Sequence, residues 1–263
     1  MRVAFIQTSP VFGDIASNVE RAVKRIARLD AELIVLPELF STGYQFRSRK
    51  ELLELAEEVP GGYAVRQLAA AAKSRGACIV AGLAEREGRR AYNSAVLVGP
   101  RGHVGTYRKA HLFWDEKKIF TKGDTPFAIY KAGKARVGMM VCFDWVFPEA
   151  ARTLALMGAD IICHPSNLVL PYCPQAMITR SIENRVFTIT ANRVGVEERL
   201  EGKSLRFIGS SQITSPAGEV LARAGGRKEE AGVIEINPFE ARRKRITPVN
   251  DLFGDRRKDL FKL

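Results

Sequence analysis

An α/β architecture, with two layers of sheet covered by helices, follows from three features of this chain. Short apolar runs of strand character alternate with amphipathic stretches at helical spacing, as parallel units require. Turns bearing Gly and Pro join other strand pairs directly, as hairpins do. The 263 residues, 46% of them hydrophobic, suffice to bury one full core. Packed sheets flanked by helices accommodate both kinds of connection.

The elements follow in order. Residues 3–7 read as a first strand. Residues 18–29 (NVERAVKRIARL) place apolar side chains at helical spacing behind Asn18 as cap. Residues 33–36 are a fully apolar strand. Residues 49–59 and 64–74 read as two helices divided by Pro60-Gly61-Gly62, which continues neither. Strands at 78–84, 94–98 and 103–107 come next, the last two joined across Gly99-Pro100-Arg101-Gly102. Residues 127–130 and 136–141 form a hairpin over Ala132-Gly133-Lys134. A helix at 148–157 starts on Pro148 and stops at Gly158. Then come a strand at 161–164, a helix at 175–185 and a strand at 187–191. Strands at 210–214, 219–223 and 233–236 close the fold around Ser215-Pro216-Ala217-Gly218. With no repeat and no linker, residues 1–263 are expected to form one domain.

Composition excludes several function classes. The formal charge is +12, yet the basic residues are interleaved with 29 acids and only Arg242-Arg243-Lys244-Arg245 is dense. A nucleic-acid surface needs basic residues on one face with aromatic interleaving, so no nucleic-acid partner is expected. No apolar stretch approaches the roughly 20 residues of a membrane span, and the N-terminus enters a strand pattern with no signal peptide. A cytoplasmic protein with no membrane partner is expected. The many Arg, Lys and Glu side chains suit the surface ion-pair networks of a thermophile. Cys78, Cys142, Cys163 and Cys173 show neither a CxxC pair nor disulfide spacing, and Cys78 and Cys163 lie in apolar runs as small buried hydrophobes. His103, His111 and His164 are not at metal-ligand spacing, so neither metal nor cofactor is expected.

Three separated segments each end a strand-like run with one reactive side chain: LIVLPE at Glu38, YRK at Lys109 and VGMMVC at Cys142. Each alone has an ordinary explanation, as a solvated carboxylate, a surface lysine or a structural thiol. Together their chemistry is complementary. A free thiol with a pKa near 8.5 needs a base or a cation beside it to become a nucleophile at neutral pH. Glu38 supplies the base, while Lys109 and the backbone N–H of Phe143 supply donors for a tetrahedral oxyanion. The set makes a covalent acyl-enzyme without histidine.

LPELF followed by Thr42-Gly43-Tyr44, YRKAHLF, and VCFDWVFPEAARTLALMGAD resemble the three signature segments of the nitrilase superfamily of carbon-nitrogen hydrolases, in the same order. The resemblance continues through Asn93-Ser94, His164-Pro165-Ser166-Asn167, RSIENR at 180–185, Asn192-Arg193-Val194-Gly195 and DRRKDL at 255–260. It implies a four-layer α-β-β-α sandwich, a Glu38, Lys109, Cys142 triad and at least a homodimer, with residues 240–263 as a tail in subunit contact. It also implies a second glutamate after the lysine motif. Glu116 matches that position, with Asp115 adjacent to it and a surface acid as the ordinary alternative.

The implied reaction hydrolyses small aliphatic nitriles or amides through a cysteine thioester. Tyr44, Phe113, Trp114, Trp145, Phe147 and Tyr172 lie near the motif loops as candidate pocket walls or as packing, and Asn167 joins Tyr44, Phe113 and Trp145 in the implied substrate pocket. Phe143-Asp144-Trp145 stands where one carbamoylase branch carries arginines for an amino-acid carboxylate, leaving Arg47 or Arg180 as substitutes if the substrate is an N-carbamoyl compound. Two other readings stand beside this one: a cysteine-histidine hydrolase using His111 or His164, and a non-catalytic scaffold.

Overall fold

The computed structural model describes residues 1–260; the last three residues of the expected tail lie outside them. Two six-stranded sheets pack face to face. The first runs β14-β1-β2-β3-β4-β5, built from β1 (Arg2–Gln7), β2 (Leu33–Val35), β3 (Cys78–Glu87), β4 (Arg90–Gly99), β5 (Gly102–Arg108) and β14 (Glu230–Glu235). The second runs β13-β12-β9-β8-β7-β6, from β6 (Ile129–Ala132), β7 (Ala135–Met139), β8 (Ile161–Pro165), β9 (Phe187–Ala191), β12 (Gln212–Thr214) and β13 (Val220–Arg223). Each sheet has a parallel core, β1-β2-β3 in one and β7-β8-β9 in the other, flanked by antiparallel strands.

Alternation along the strands dictates this stacking. Val3, Phe5, Val35, Val80 and Leu97 point to one side and meet Val137, Met139, Ile189 and Ile213 of the second sheet. Ala4, Ile6, Ile34, Leu36 and Ile79 point to the other side, against α1 (Ile15–Arg28) and α3 (Tyr63–Arg75) through Val19, Ile26 and Leu68. The second sheet is covered by α5 (Pro148–Leu156) and α6 (Cys173–Asn184), which bring Ala151, Leu154 and Met177 into the core. The result is the expected α-β-β-α sandwich. Cys78 and Cys163 are buried in the core, as their apolar runs suggest.

Several details differ from expectation. Asp14, not Asn18, caps α1 by accepting from Ser17 N at 3.2 Å. Asn18 is buried and instead donates to the carbonyls of Val11 and Ser41, both at 2.7 Å, fastening the loop after β2 to the helix. α2 spans Arg49–Leu55 and ends four residues earlier than its pattern suggests. The third of the closing strands, β14, pairs with β1 in the first sheet rather than with β12 and β13. An unexpected hairpin, β10 (Val194–Leu200) and β11 (Lys203–Ile208), stands apart as a two-stranded sheet. The basic cluster is partly spent within the fold. Arg242 pairs with Asp160 at 2.9 Å, and Lys244 donates to the carbonyls of Asn184 and Arg185 at the C-terminus of α6, where a cation is favoured.

Candidate active site

The two sheets contribute reactive side chains to one place, outside the carboxyl ends of their parallel strands. Glu38 follows β2, Lys109 follows β5 and Cys142 follows β7. All three are buried, at 0, 1 and 5% exposure. Glu38 sits on a turn that β3 approaches closely. A Cβ on Gly82 would lie 2.4 Å from Glu38 Cα, so only glycine fits there.

Lys109 Nζ donates to Glu38 Oε1 at 2.7 Å and to Glu116 at 2.8–2.9 Å. Glu116, rather than Asp115, is therefore the acid that meets the lysine; it opens the short helix α4 (Glu116–Ile119), whereas Asp115 pairs with Lys118 and Lys203. Glu116 also accepts from Tyr44 Oη at 2.7 Å and Phe113 N at 2.9 Å. Asn93 Nδ2, on β4, donates to Glu38 Oε1 at 2.6 Å. Glu38 Oε2 has no protein partner.

Cys142 starts a 3-10 turn, residues Cys142–Val146, with φ at +41°. Left-handed backbone at a non-glycine residue is strained and needs surroundings that enforce it. Asp144 is the clamp: its buried carboxylate accepts from Val141 N and Tyr107 Oη at 2.8 Å, and from His111 N at 3.1 Å and Nδ1 at 2.8 Å. His164 Nε2 donates to the Cys142 carbonyl at 2.8 Å, while its Nδ1 faces Thr190 Oγ1. Burial lowers His164 to a pKa of about 4, so it is neutral, and its donor is spent on backbone. His111 is held by Asp144 and stacked on Phe147 at 3.6 Å. Each candidate histidine base thus holds the elbow around the thiol.

Electrostatics sort the three groups. Burial raises the Cys142 thiol well above its usual range, and the neighbouring Glu38 raises it further. Burial also raises Glu38, against the pull of Lys109. For Lys109 burial favours the neutral form, but the two carboxylates outweigh it and hold the ammonium protonated. The resting arrangement is a thiol, an ammonium and a carboxyl of raised pKa, in which Glu38 can accept a proton from Cys142 and later return it.

A narrow cleft opens at Cys142, walled by Phe113, Phe143, Trp145, Asn167, Leu168, Val169 and Leu170. Phe113, Trp145 and Asn167 are among these walls. Tyr44 is not among the side chains walling this cleft; its hydroxyl is bonded to Glu116. Trp114 and Tyr172 are exposed, at 54 and 64%, and also stay out of the wall. Phe147 lines a larger neighbouring cleft of about 400 Å³ with His111, Lys117 and Lys122, and Phe143 lies between the two. Arg180 is bound to Glu183 and the Trp145 carbonyl, and Arg47 to the Arg199 carbonyl; neither lines the cleft. Among the described residues no group of three His, Cys, Asp or Glu side chains is placed to hold a metal ion.

Sequence reasoning missed the supports: Asp144, Tyr107 and Asn93, and the unexpected hairpin, whose Glu197 accepts from Tyr44 N at 3.1 Å and Gln45 N at 2.6 Å. Arg193 pairs with Glu197 from below. An acid two residues after the cysteine carries no signal of its own, which is why Asp144 was missed.

A family model described as carbon-nitrogen hydrolase matches residues 2–245. The chain is 48% identical to a nitrilase of Pyrococcus abyssi over 99% of both chains. It is 31% identical to an N-carbamoylputrescine amidase of Solanum lycopersicum, covering 95% of this chain and 90% of that one. A solved amidase from Nesterenkonia sp. AN1, described with acrylamide added at its active-site cysteine, superposes with a TM-score of 0.82 at 26% identity, covering 99% of this chain and 98% of that one.

Proposed function

Since the chain belongs to the carbon-nitrogen hydrolase family, we propose that it cleaves small aliphatic amides or nitriles to a carboxylic acid and ammonia, with Cys142 as nucleophile, Glu38 as general base and acid, Lys109 as oxyanion donor and Glu116 as the group that positions the lysine. The observation that carries this reading is Lys109 Nζ bridging Glu38 and Glu116 beside the buried Cys142 thiol. An ammonium has three N–H donors, so two carboxylates leave one to point at the substrate.

The amide reaction proceeds in two halves. Glu38 takes the thiol proton as sulfur bonds to the carbonyl carbon, and the oxyanion rests on Lys109 and the Phe143 N–H. As the C–N bond breaks, the proton passes from Glu38 to nitrogen, and ammonia leaves a thioester on Cys142. Glu38 then takes a proton from water; the hydroxide oxygen bonds to the acyl carbon, the C–S bond breaks, and the proton returns to sulfur. A nitrile follows the same course after one added hydration through a thioimidate.

An N-carbamoyl amine is the second reading, favoured by the likeness to a carbamoylputrescine amidase. A carbamoyl amino acid fits less well, because neither Arg47 nor Arg180 faces the cleft. Ammonia release from amides, nitriles and N-carbamoyl compounds, run beside Cys142→Ala, is the test. Turnover that disappears in the variant is expected; turnover surviving it would remove Cys142 from the chemistry.

The proposal extends to assembly and place. A homo-oligomer of at least two copies is supported by exposed Leu156 and Met157 beside α5 and Ile182 on α6, together with Ile246 and Val249 in the tail that was expected to make subunit contact. A cytoplasmic site of action is supported by four free, buried thiols, and fractionation against a compartment marker tests it. No helix among the described residues is long and apolar enough to cross a membrane.

A further inference from the structure

Asn167 is 3% exposed and lines the cleft at Cys142, yet neither its Oδ1 nor its Nδ2 has a hydrogen-bond partner. Every other wall of the cleft is the thiol itself or an apolar side chain. A buried carboxamide with both ends free is an exception that calls for a ligand, since unpaired buried polar atoms are disfavoured unless something fills their valences.

The reacting group cannot supply that partner in full. In the proposed mechanism its oxygen goes to Lys109 and the Phe143 N–H, and one N–H of the leaving nitrogen goes to Glu38 Oε2, which, like Asn93 Oδ1 behind it, is unpaired. The scissile amide has at most one further N–H, which would serve Asn167 Oδ1. The Nδ2 donor still requires an acceptor. Resting on the assignment of Cys142 as nucleophile, we propose that the preferred substrate carries a second hydrogen-bond acceptor, an ether, hydroxyl or carbonyl oxygen, one or two carbons from the reacting carbon, and that Asn167 Nδ2 binds it. Asn167 is then the specificity-determining residue of an otherwise apolar cleft. Plain alkyl amides leave the carboxamide unsatisfied, the situation in which a polar site discriminates most strongly.

Methoxyacetamide and butyramide test this, because they match in length and differ by an ether oxygen in place of a methylene. The ratio of their kcat/KM values is expected to favour methoxyacetamide by about 10- to 100-fold in the unaltered protein. Asn167→Leu should bring the ratio close to that set by the intrinsic reactivity of the two amides in alkaline hydrolysis. Asn167→Asp, which keeps the shape and removes the donor, should lower it as well and serves if the leucine variant does not fold. An unchanged ratio in the folded variants, or a ratio below threefold in the unaltered protein, overturns the assignment of Asn167 while leaving Cys142-dependent turnover intact. Absence of Cys142-dependent ammonia from both amides would overturn the underlying hydrolase reading and this one with it.

Discussion

Burial sets the pH range in which Glu38 can act. Desolvation raises its carboxyl above the usual value of 4.5, and Lys109 only partly reverses this. A base must be ionised, so activity falls as pH drops through the raised pKa. The acid limb of kcat/KM is therefore expected above pH 4.5, and Glu38→Gln should remove the limb while lowering the rate by about 10²- to 10⁴-fold. A pH-rate profile checks both; an acid limb at or below the ordinary carboxylate value would show that another group governs it. Glu38, Lys109 and Cys142 were legible in the sequence because each is a lone reactive side chain closing an apolar run. Asn93 and Asp144 were not, because Asn and Asp are ordinary loop and strand-end residues. Only the register that sets Asn93 against Glu38, and the turn that folds Asp144 back under Val141, give them their roles.

Among the elements, β3 bears most directly on the site. Its Gly82 amide donates to the Pro37 carbonyl at 3.0 Å, and its carbonyl accepts from Phe40 N at 3.0 Å, so the strand brackets Glu38 on both sides. Gly82→Ala would force a methyl group against the Glu38 backbone. The expected outcome is a stability loss of about 1–3 kcal/mol with kcat lowered on the order of 10²-fold, read by thermal unfolding and steady-state kinetics. Unchanged kcat in a folded variant would mean that the turn carrying Glu38 yields freely. Strands with two buried faces, such as β2 and β8, were the plainest in the sequence. The hairpin of β10 and β11 was hidden because Glu197, Glu198, Arg199, Glu201 and Lys203 break its apolar alternation; these side chains are spent on pairing with neighbours or on solvent rather than on a core. The joined ends of β3 and β4 went unseen because Glu85, Arg86, Glu87 and Arg90 interrupt the apolar run, although Glu85, Ala91, Tyr92 and Asn93 are buried there.

At the scale of the whole molecule, the order of strands and helices already contained the two-layered plan, but not which strand joins which sheet. Nothing in β14 itself says that it pairs with β1, because edge pairing is decided by where the preceding turn delivers the chain. The apolar side chains left on α5 and α6 make the oligomer testable. Light scattering is expected to give at least twice the chain mass, and Leu156→Glu with Ile182→Glu should reduce it; a monomer at every concentration would sink the assembly. The division of the site between sheets has a consequence for the folding chain. The proposed base and its lysine belong to one sheet and the thiol to the other, and Tyr107 Oη reaching Asp144 spans the junction. A nascent or partly melted chain with only the first layer formed would hold Glu38 and Lys109 together but without the thiol beside them. The proposed catalytic competence is thus a property of the closed seam, which neither layer holds alone.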